Sequence, residues 1–355
     1  MFLNSVITGT GSFLPKRRVP NSAFLTNTFY DKRGNRIDKD NAAIVQKLES
    51  ISGIKERRYA KDKDSAQMAA ASAEEAIKSA GIDRNTLDGI IIAHNFGNIA
   101  PEATQGILVP NVAALVKHHL GITNPTCVAF DVLFGCPGWL HCLLLAHLYI
   151  QARQGRNYLV IGVESISGII DPHDMDGMLF GDGAGSIIIQ AEESEVKRGI
   201  LSTATYSHCQ GEVEYLKMGP SNNPDLKRDP NIKMQGRGVY RYAVSNLPPL
   251  VSQCLEKANV KLEEITKFLF HQANEKMIKA IASKLFKQHG LEMTDENLLP
   301  ISVHLFGNSS VATIPTLMDL IMKGEMPPHS LGEGDLVVMA SVGAGMHSNA
   351  MVYKY

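Results

Sequence analysis

Of the 355 residues only one is tryptophan, five are cysteine and 6% are aromatic, and the charges nearly cancel at net -1. Near-neutrality excludes a global field of the kind that gathers nucleic acid. The cysteines (Cys127, Cys136, Cys142, Cys209, Cys254) are odd in number and show no C-x-x-C or zinc spacing. That speaks against a disulfide framework and suits a reduced compartment. No H-E-x-x-H or comparable spacing occurs among the twelve histidines, so neither a metal nor another cofactor is expected. No apolar run reaches membrane-spanning length, and no charged segment precedes an apolar stretch at the amino end, which predicts a soluble, cytoplasmic protein. GTG (Gly9 to Gly11) lacks the third glycine of a dinucleotide fingerprint, and GDGAGS (Gly181 to Ser186) has no following Lys. Both read as tight turns where backbone meets backbone.

What the chain does have is a duplication. LFGC (Leu133 to Cys136) returns as LFGN (Leu305 to Asn308), each after an apolar, strand-like run. Ala76 to His94 aligns without a gap on Cys254 to Gln272, an offset of 178 residues, and Asn157 to Ser165 aligns on Asp335 to Gly343 at the same offset. Strands are expected at Ser5 to Gly11, Gly89 to His94, Val128 to Leu133, Tyr158 to Val163 and Lys267 to Phe270. Helices are expected at Ser65 to Gly81, Val112 to His119, Pro137 to Ala152 and from about Glu275. Strands alternating with helices predict an α/β fold with a mostly parallel, buried sheet. The charged stretch Ala191 to Gly199 is the expected join, dividing the chain into residues 1–195 and 196–355. Asp31 to Asn41 reads as a surface insertion and Pro220 to Arg237 as a long surface excursion.

The duplication makes Cys136 and Asn308 pseudo-symmetric. Cys136 lies between Gly135 and Pro137-Gly138, and Pro is comfortable at a first helical position. The positive end of the following helix is expected to lower the thiol pKa from its free value of about 8.5. The Cys136 N–H is a candidate oxyanion donor. The other four cysteines read as buried and structural. His271 ends a predicted buried strand, where α/β sites form. With Asn308 it supplies two neutral hydrogen-bond donors beside a nucleophile.

In this order GTGSFLP, GIKERRYA (Gly53 to Ala60), GCPG, FGDGAGS, HQAN (His271 to Asn274), GNSSVATIP and VGAG (Val342 to Gly345) resemble β-ketoacyl-acyl-carrier-protein synthase III. That family belongs to the thiolase-like condensing enzymes. The resemblance spans essentially the whole chain. It implies a five-layered αβαβα fold of two related halves, usually dimeric, and an acyl-Cys136 intermediate. It further implies His271 and Asn308 on the malonyl thioester carbonyl, and Gly343 joining Cys136 in the oxyanion hole. Arg237, Arg241, Lys276, Lys284 and Lys287 become candidates for docking an acyl carrier protein, and Val109 for the acyl tunnel across the dimer. A residue of this size there suggests room for a longer acyl chain.

Two departures stand out. Synthases primed by acetyl-CoA usually clamp the adenine between Trp and Arg. Asp38 to Gly53 contains no Trp, and Gly162 to Phe180 contains neither Lys nor Arg. A carrier-bound primer is therefore expected in place of acyl-CoA. The leading reading is decarboxylative condensation, in fatty-acid initiation or a specialised pathway such as a dialkylresorcinol-type ketosynthase joining two carrier-bound chains. Non-decarboxylating condensation of two acyl-CoAs is disfavoured, since no Asp or Glu occurs from Ala103 to Phe130. A non-catalytic partner subunit is the reading from another class, and the intact Cys136 opposes it.

Overall fold

A computed structural model describes residues 1–226 and 230–355. The strands of the first half are β1 (Phe2–Phe13), β2 (Arg17–Pro20), β3 (Glu56–Tyr59), β4 (Gly89–Ala93), β5 (Val128–Val132), β6 (Asn157–Glu164) and β7 (Gly183–Ser194). Those that follow are β8 (Gly199–Ser207), β9 (Leu216–Gly219), β10 (Asn231–Met234), β11 (Lys267–Phe270), β12 (Leu336–Gly343) and β13 (His347–Lys354). One five-stranded sheet has the order β1-β7-β6-β4-β5, and a four-stranded sheet the order β11-β12-β13-β8. All strands of the five-stranded sheet lie within residues 2–194, and all of the four-stranded sheet within 199–354. The expected repeat is visible in the pairing. β4 runs parallel to β6, as β11 does to β12, and β6 pairs antiparallel with β7 as β12 does with β13.

The helices are α1 (Asn41–Ser52), α2 (Ser65–Ala80), α3 (Val112–His119), α4 (Gly138–Gln151), the single turn α5 (Cys209–Glu212), α6 (Gly236–Ala258), α7 (Glu275–Gln288), the single turn α8 (Val303–Phe306) and α9 (Thr313–Met322). Alternation along the strands sorts them into layers, because successive side chains leave a strand on opposite faces. Ile91 of β4 packs inward with Trp139 and Leu143 of α4, Leu317 of α9 and Met339 of β12. Its neighbours Ile90 and Ile92 face the other way, onto Ala69 and Ala73 of α2 and Val116 of α3. On the far side, Phe268 and Val338 pack with Leu250 of α6 and Ile281 of α7. The result is α2/α3, sheet, α4/α9, sheet, α6/α7: the five-layered arrangement. Because both faces of each sheet are covered, the strands read as continuous apolar runs.

Four expectations need correction. The two main sheets are mixed rather than mostly parallel: β4 pairs parallel with β5 and β6, and β11 with β12, but β1–β7, β6–β7, β12–β13 and β13–β8 are antiparallel. The run before LFGN forms no strand but leads into the helical turn α8, which includes Leu305 and Phe306 of the motif, so among the described residues the second half has no counterpart of β5. The GTG and GDGAGS glycines lie largely within β1 and β7 rather than in turns. A Cβ on Gly11 would sit 2.2 Å from the Ser72 carbonyl oxygen, so these glycines let helices press onto strands. Cys209 is exposed, unlike Cys127, Cys142 and Cys254. The segment 31–37 folds back as a turn bridged between Tyr30 and Arg36, anchored by Tyr30 N–H on the His173 carbonyl and by Lys32 on the Met234 carbonyl. The excursion expected over Pro220 to Arg237 includes 227–229, outside the described residues; on either side the chain pairs as β9 and β10.

Candidate active site

The corner that carries Cys136 follows from the end of β5. Gly135 takes a left-handed φ of +63°, turning the chain so that Gly138 N–H reaches the Gly135 carbonyl and α4 begins. Cys136 therefore stands at the start of a 14-residue helix. Opposite it, Gly343 closes β12: a Cβ there would lie 2.3 Å from the Cys136 nitrogen. Only glycine lets these two backbone segments approach so closely.

His271 follows β11, its own N–H donating to the Ala340 carbonyl of β12 at 2.9 Å. Asn308 is held from both sides by the chain before β7. Its N–H donates to the Leu179 carbonyl at 2.9 Å, and its carbonyl accepts from Gly181 N–H at 3.0 Å. All three side chains converge on the segment 308–313. The Asn308 Oδ1 accepts from the Ser310 N–H at 2.8 Å, which leaves the amide NH2 to face outward as a donor. The Ser310 hydroxyl donates to Cys136 Sγ at 3.3 Å. Thr313 Oγ1 lies 2.6 Å from His271 Nδ1 and 3.0 Å from the Ser310 carbonyl oxygen; in the neutral tautomer whose Nε2 carries the proton toward a ligand, the single Thr313 hydroxyl proton goes to Nδ1. Ser310 itself is a non-glycine residue at φ +51°. That conformation persists only where the surroundings enforce it, and such residues gather at functional sites.

Electrostatics depart from the expectation built on the helix. Burial pushes the Cys136 thiol up, to about 11, and the Glu164 carboxylate adds to this, while the Ser310 hydrogen bond acts the other way. The field of the helix end is outweighed by loss of water. Burial pushes His271 down to about 3, so the imidazole is neutral near pH 7 and acts as a hydrogen-bond group, not a cation.

Two cavities meet at this loop. The outer one, of about 630 Å³, is lined by Asn274, Ala273, Met277, Arg237, Arg241 and Asn308, among others. The inner one, of about 190 Å³, holds Cys136, Ser310, Asn95, Glu164, Phe180 and Ile232. Arg237 and Arg241 are exposed at the rim of the outer cavity. On α7, Lys276 and Lys287 are exposed and Lys284 is half-buried. Val109 is 86% exposed beside Ile107 and Leu108, and within one chain it does not line the cavity around Cys136.

Sequence reasoning did not single out Ser310, Thr313, Asn95 or Glu164. One signal was available: Glu164 is a carboxylate that follows the apolar run Leu159 to Val163 of β6, and a charge in such a run needs a reason.

A cysteine at a strand-to-helix corner between two pseudo-symmetric halves, tied to the same 308–313 segment as a neutral imidazole and a carboxamide, fits a condensing enzyme of the thiolase-like class. Comparison with known proteins narrows this. Residues 130–209 match the family model of 3-oxoacyl-[acyl-carrier-protein] synthase III, and 255–355 that of its C-terminal part. The β-ketoacyl-[acyl-carrier-protein] synthase III of Neisseria meningitidis is 32% identical, covering 98% of both chains. The crystal structure of 3-oxoacyl-[acyl-carrier-protein] synthase III from Aquifex aeolicus superposes with a TM-score of 0.81 at 29% identity, over 99% of this chain and 100% of that one. The priming β-ketosynthase of the R1128 polyketide pathway gives 0.80 at 26%, over 99% and 96%. The chain belongs to the β-ketoacyl-[acyl-carrier-protein] synthase III family and is an acyltransferase.

Proposed function

We propose that the protein joins an acyl group, held as a thioester on Cys136, to the α-carbon of a malonyl-carrier thioester with loss of carbon dioxide. The observation that carries this reading is the common anchorage of Cys136, His271 and Asn308 on the 308–313 segment. Cys136 attacks the incoming acyl thioester and releases the carrier thiol, dividing a hard step into two. The oxyanion of that attack faces the backbone of Cys136 and Gly343. In the second half-reaction His271 Nε2 and the Asn308 amide donate to the malonyl thioester carbonyl. Both are neutral donors in a dry site, so they strengthen as charge builds on that oxygen during decarboxylation. The enolate then attacks the acyl carbon, expels the Cys136 thiolate and leaves a β-ketoacyl thioester.

The outer cavity fits the pantetheine arm, and its apolar lining suits a chain threaded from the surface to Asn308. The halves 1–195 and 196–355 each supply part of the site. Arg237 and Arg241 at the rim, with Lys276, Lys284 and Lys287 on α7, form the docking face for an acidic acyl carrier protein. The adenine clamp of CoA-primed synthases has no Trp or Arg to build it in the segments where it is expected, which favours a carrier-bound primer. The exposed edge strand β5 and the apolar loop of Ile107, Leu108 and Val109 form the homodimer face. Through that face Val109 reaches the partner's acyl cavity and admits chains longer than 190 Å³ accommodates.

A β-ketoacyl nucleophile in place of malonyl, as in a dialkylresorcinol-type ketosynthase, uses the same two donors. Incubation with a panel of acyl-carriers and malonyl- or β-ketoacyl-carrier, with products weighed, tests both. A carrier-bound product extended by two carbons supports the first reading, a joined pair of chains supports the second, and no product from any donor refutes enzymatic condensation.

A further inference from the structure

Glu164 is a carboxylate that the condensation above does not use, yet it faces the nucleophile's cavity at 2% exposure. It closes β6, and among the described residues no lysine or arginine pairs with it. Its partners are the Asn95 N–H at 2.6 Å, the Asn95 amide at 3.1 Å and the Ser310 hydroxyl. Asn95 donates from the same amide to Ser310 Oγ at 3.1 Å, and Ser310 reaches Cys136 Sγ at 3.3 Å. Carboxylate, hydroxyl and thiol thus form one line, braced by Asn95.

The thiol needs such a line. His271 is neutral, so no imidazolium stands by to stabilise a thiolate. Ionising Cys136 into solvent would place a second negative charge in a dry cavity beside Glu164. Moving the proton from sulfur to the carboxylate keeps the site's charge constant, which is the least costly route in a low dielectric. Ser310 supplies the required geometry: two acceptor lone pairs, one taken by Asn95, and one donor. Its φ of +51° is held by the Asn308 side chain, so its hydroxyl is presented at some expense of backbone strain.

Resting on the acyl-Cys136 reading, we propose that Glu164 accepts the Cys136 proton through the Ser310 hydroxyl as the thiol attacks the acyl thioester. The Ser310 hydroxyl, which has a single proton, first turns from Cys136 Sγ to Glu164; the S–H bond then breaks toward Ser310 Oγ while the Ser310 proton passes to Glu164. The new C–S bond forms, the carrier C–S bond breaks, and the departing thiolate takes the proton back along the same line. No oxidant or cofactor enters the balance. Ser310 touches the reacting atom; Glu164 acts through it.

The groups facing Glu164 leave it suited to the task. Burial lifts it to about 7, and hydrogen bonds from Asn95 and Ser310 keep it from going higher. His94, from the end of β4, lies nearby but is committed through Nε2 to Asp131 of β5 at 2.8 Å. Lys217 of β9 lines the cavity but pairs outward with Glu214 at 2.7 Å. Cys136 and the neutral, apolar Ile166, Phe180 and Ile232 complete the surround.

The test is single-turnover loading of Cys136 from butyryl-carrier protein, followed by intact mass between pH 5.5 and 9, with malonyl-carrier decarboxylation measured in parallel. Wild-type loading falls about tenfold per pH unit below about 7, as the carboxylate is protonated. In Glu164→Gln the inflection near 7 disappears and loading at pH 7 drops by roughly 10² to 10⁴, the usual worth of a general base. Decarboxylation, which rests on His271 and Asn308, falls far less. Glu164→Asp restores part of the loading, and Ser310→Ala mimics Glu164→Gln. A Glu164→Gln enzyme with the wild-type profile overturns the relay. Equal loss of loading and decarboxylation overturns it too, since that marks a structural role. Wild-type protein that never acquires an adduct overturns the acyl-Cys136 reading itself, and the relay with it.

Discussion

The Ser310 hydroxyl donates to the Cys136 thiol at 3.3 Å across 174 positions of sequence, joining the two pseudo-symmetric corners of the fold. A hydrogen bond to a group that becomes charged is worth about 1.5–3 kcal/mol. That bond alone is worth about 10- to 150-fold in acylation rate, and Ser310→Ala, which also cuts the path to Glu164, is expected to lose roughly 10² to 10⁴. Ser310→Gly, which frees the left-handed φ, loses the same rate but melts no lower than the alanine variant. Stopped-flow loading and thermal melts of both variants check this.

Thr313 Oγ1 holds the His271 ring through its 2.6 Å contact with Nδ1, and on the proposed mechanism this positions Nε2 for decarboxylation. Thr313→Val keeps shape but removes the hydroxyl, leaving a buried ring nitrogen unpaired. Malonyl decarboxylation is expected to fall about 10- to 100-fold, with Thr313→Ser near wild type. Cys136 acylation changes much less, and comparing the two half-reactions separates positioning from general damage.

Glu164 also predicts a pH-dependent stability. Its carboxyl is raised from 4.5 to about 7 in the folded chain, so folding favours the protonated form. The stabilisation is complete below about 4.5 and is lost as pH rises through 7. Glu164→Gln, fixed in the neutral form, is then more stable than wild type at pH 8, by at most about 3 kcal/mol. The difference shrinks toward zero near pH 4.5. Urea denaturation at the two pH values reads it; a constant difference contradicts the buried-carboxylate account.

At Gly343 the expected result is disruption. A methyl group there meets the Cys136 nitrogen at 2.3 Å and the Pro137 ring at 2.8 Å. Both belong to a fixed helix start, so Gly343→Ala costs about 1–3 kcal/mol of stability and displaces the nucleophile. Melting and iodoacetamide labelling of Cys136 check the two effects.

Charge reversal at the rim tests carrier docking. Arg237→Glu with Arg241→Glu raises KM for an acyl-carrier about tenfold or more at low salt, with kcat little changed. The effect fades as ionic strength shortens the Debye length to about 3 Å at 1 M. An acyl-pantetheine donor shows no such change.

Much of this architecture was legible because repeated buried strands announce themselves. β4 and β11, or β6 and β12, occupy aligned stretches with the same apolar character. Cys136, His271 and Asn308 were readable from their corners and from the motifs around them. The turn α8 was not, since Ile301 to Phe306 is short, apolar and compatible with either period. The direction of the Cys136 shift was not readable either. A helix start is local and visible in GCPG, whereas the burial and the Glu164 carboxylate that outweigh it are set by tertiary packing. Ser310 and Thr313 lay inside a quoted motif, but their partners only appear once the halves are packed together.

The account depends most directly on Cys136 being the atom that carries the acyl group. Intact-mass and peptide mapping after exposure to an acyl-carrier should find one acyl adduct, on Cys136, that malonyl-carrier then discharges as condensed product. Cys136→Ala should acquire none. An adduct on another residue, or condensed product formed at the wild-type rate by Cys136→Ala, would contradict it.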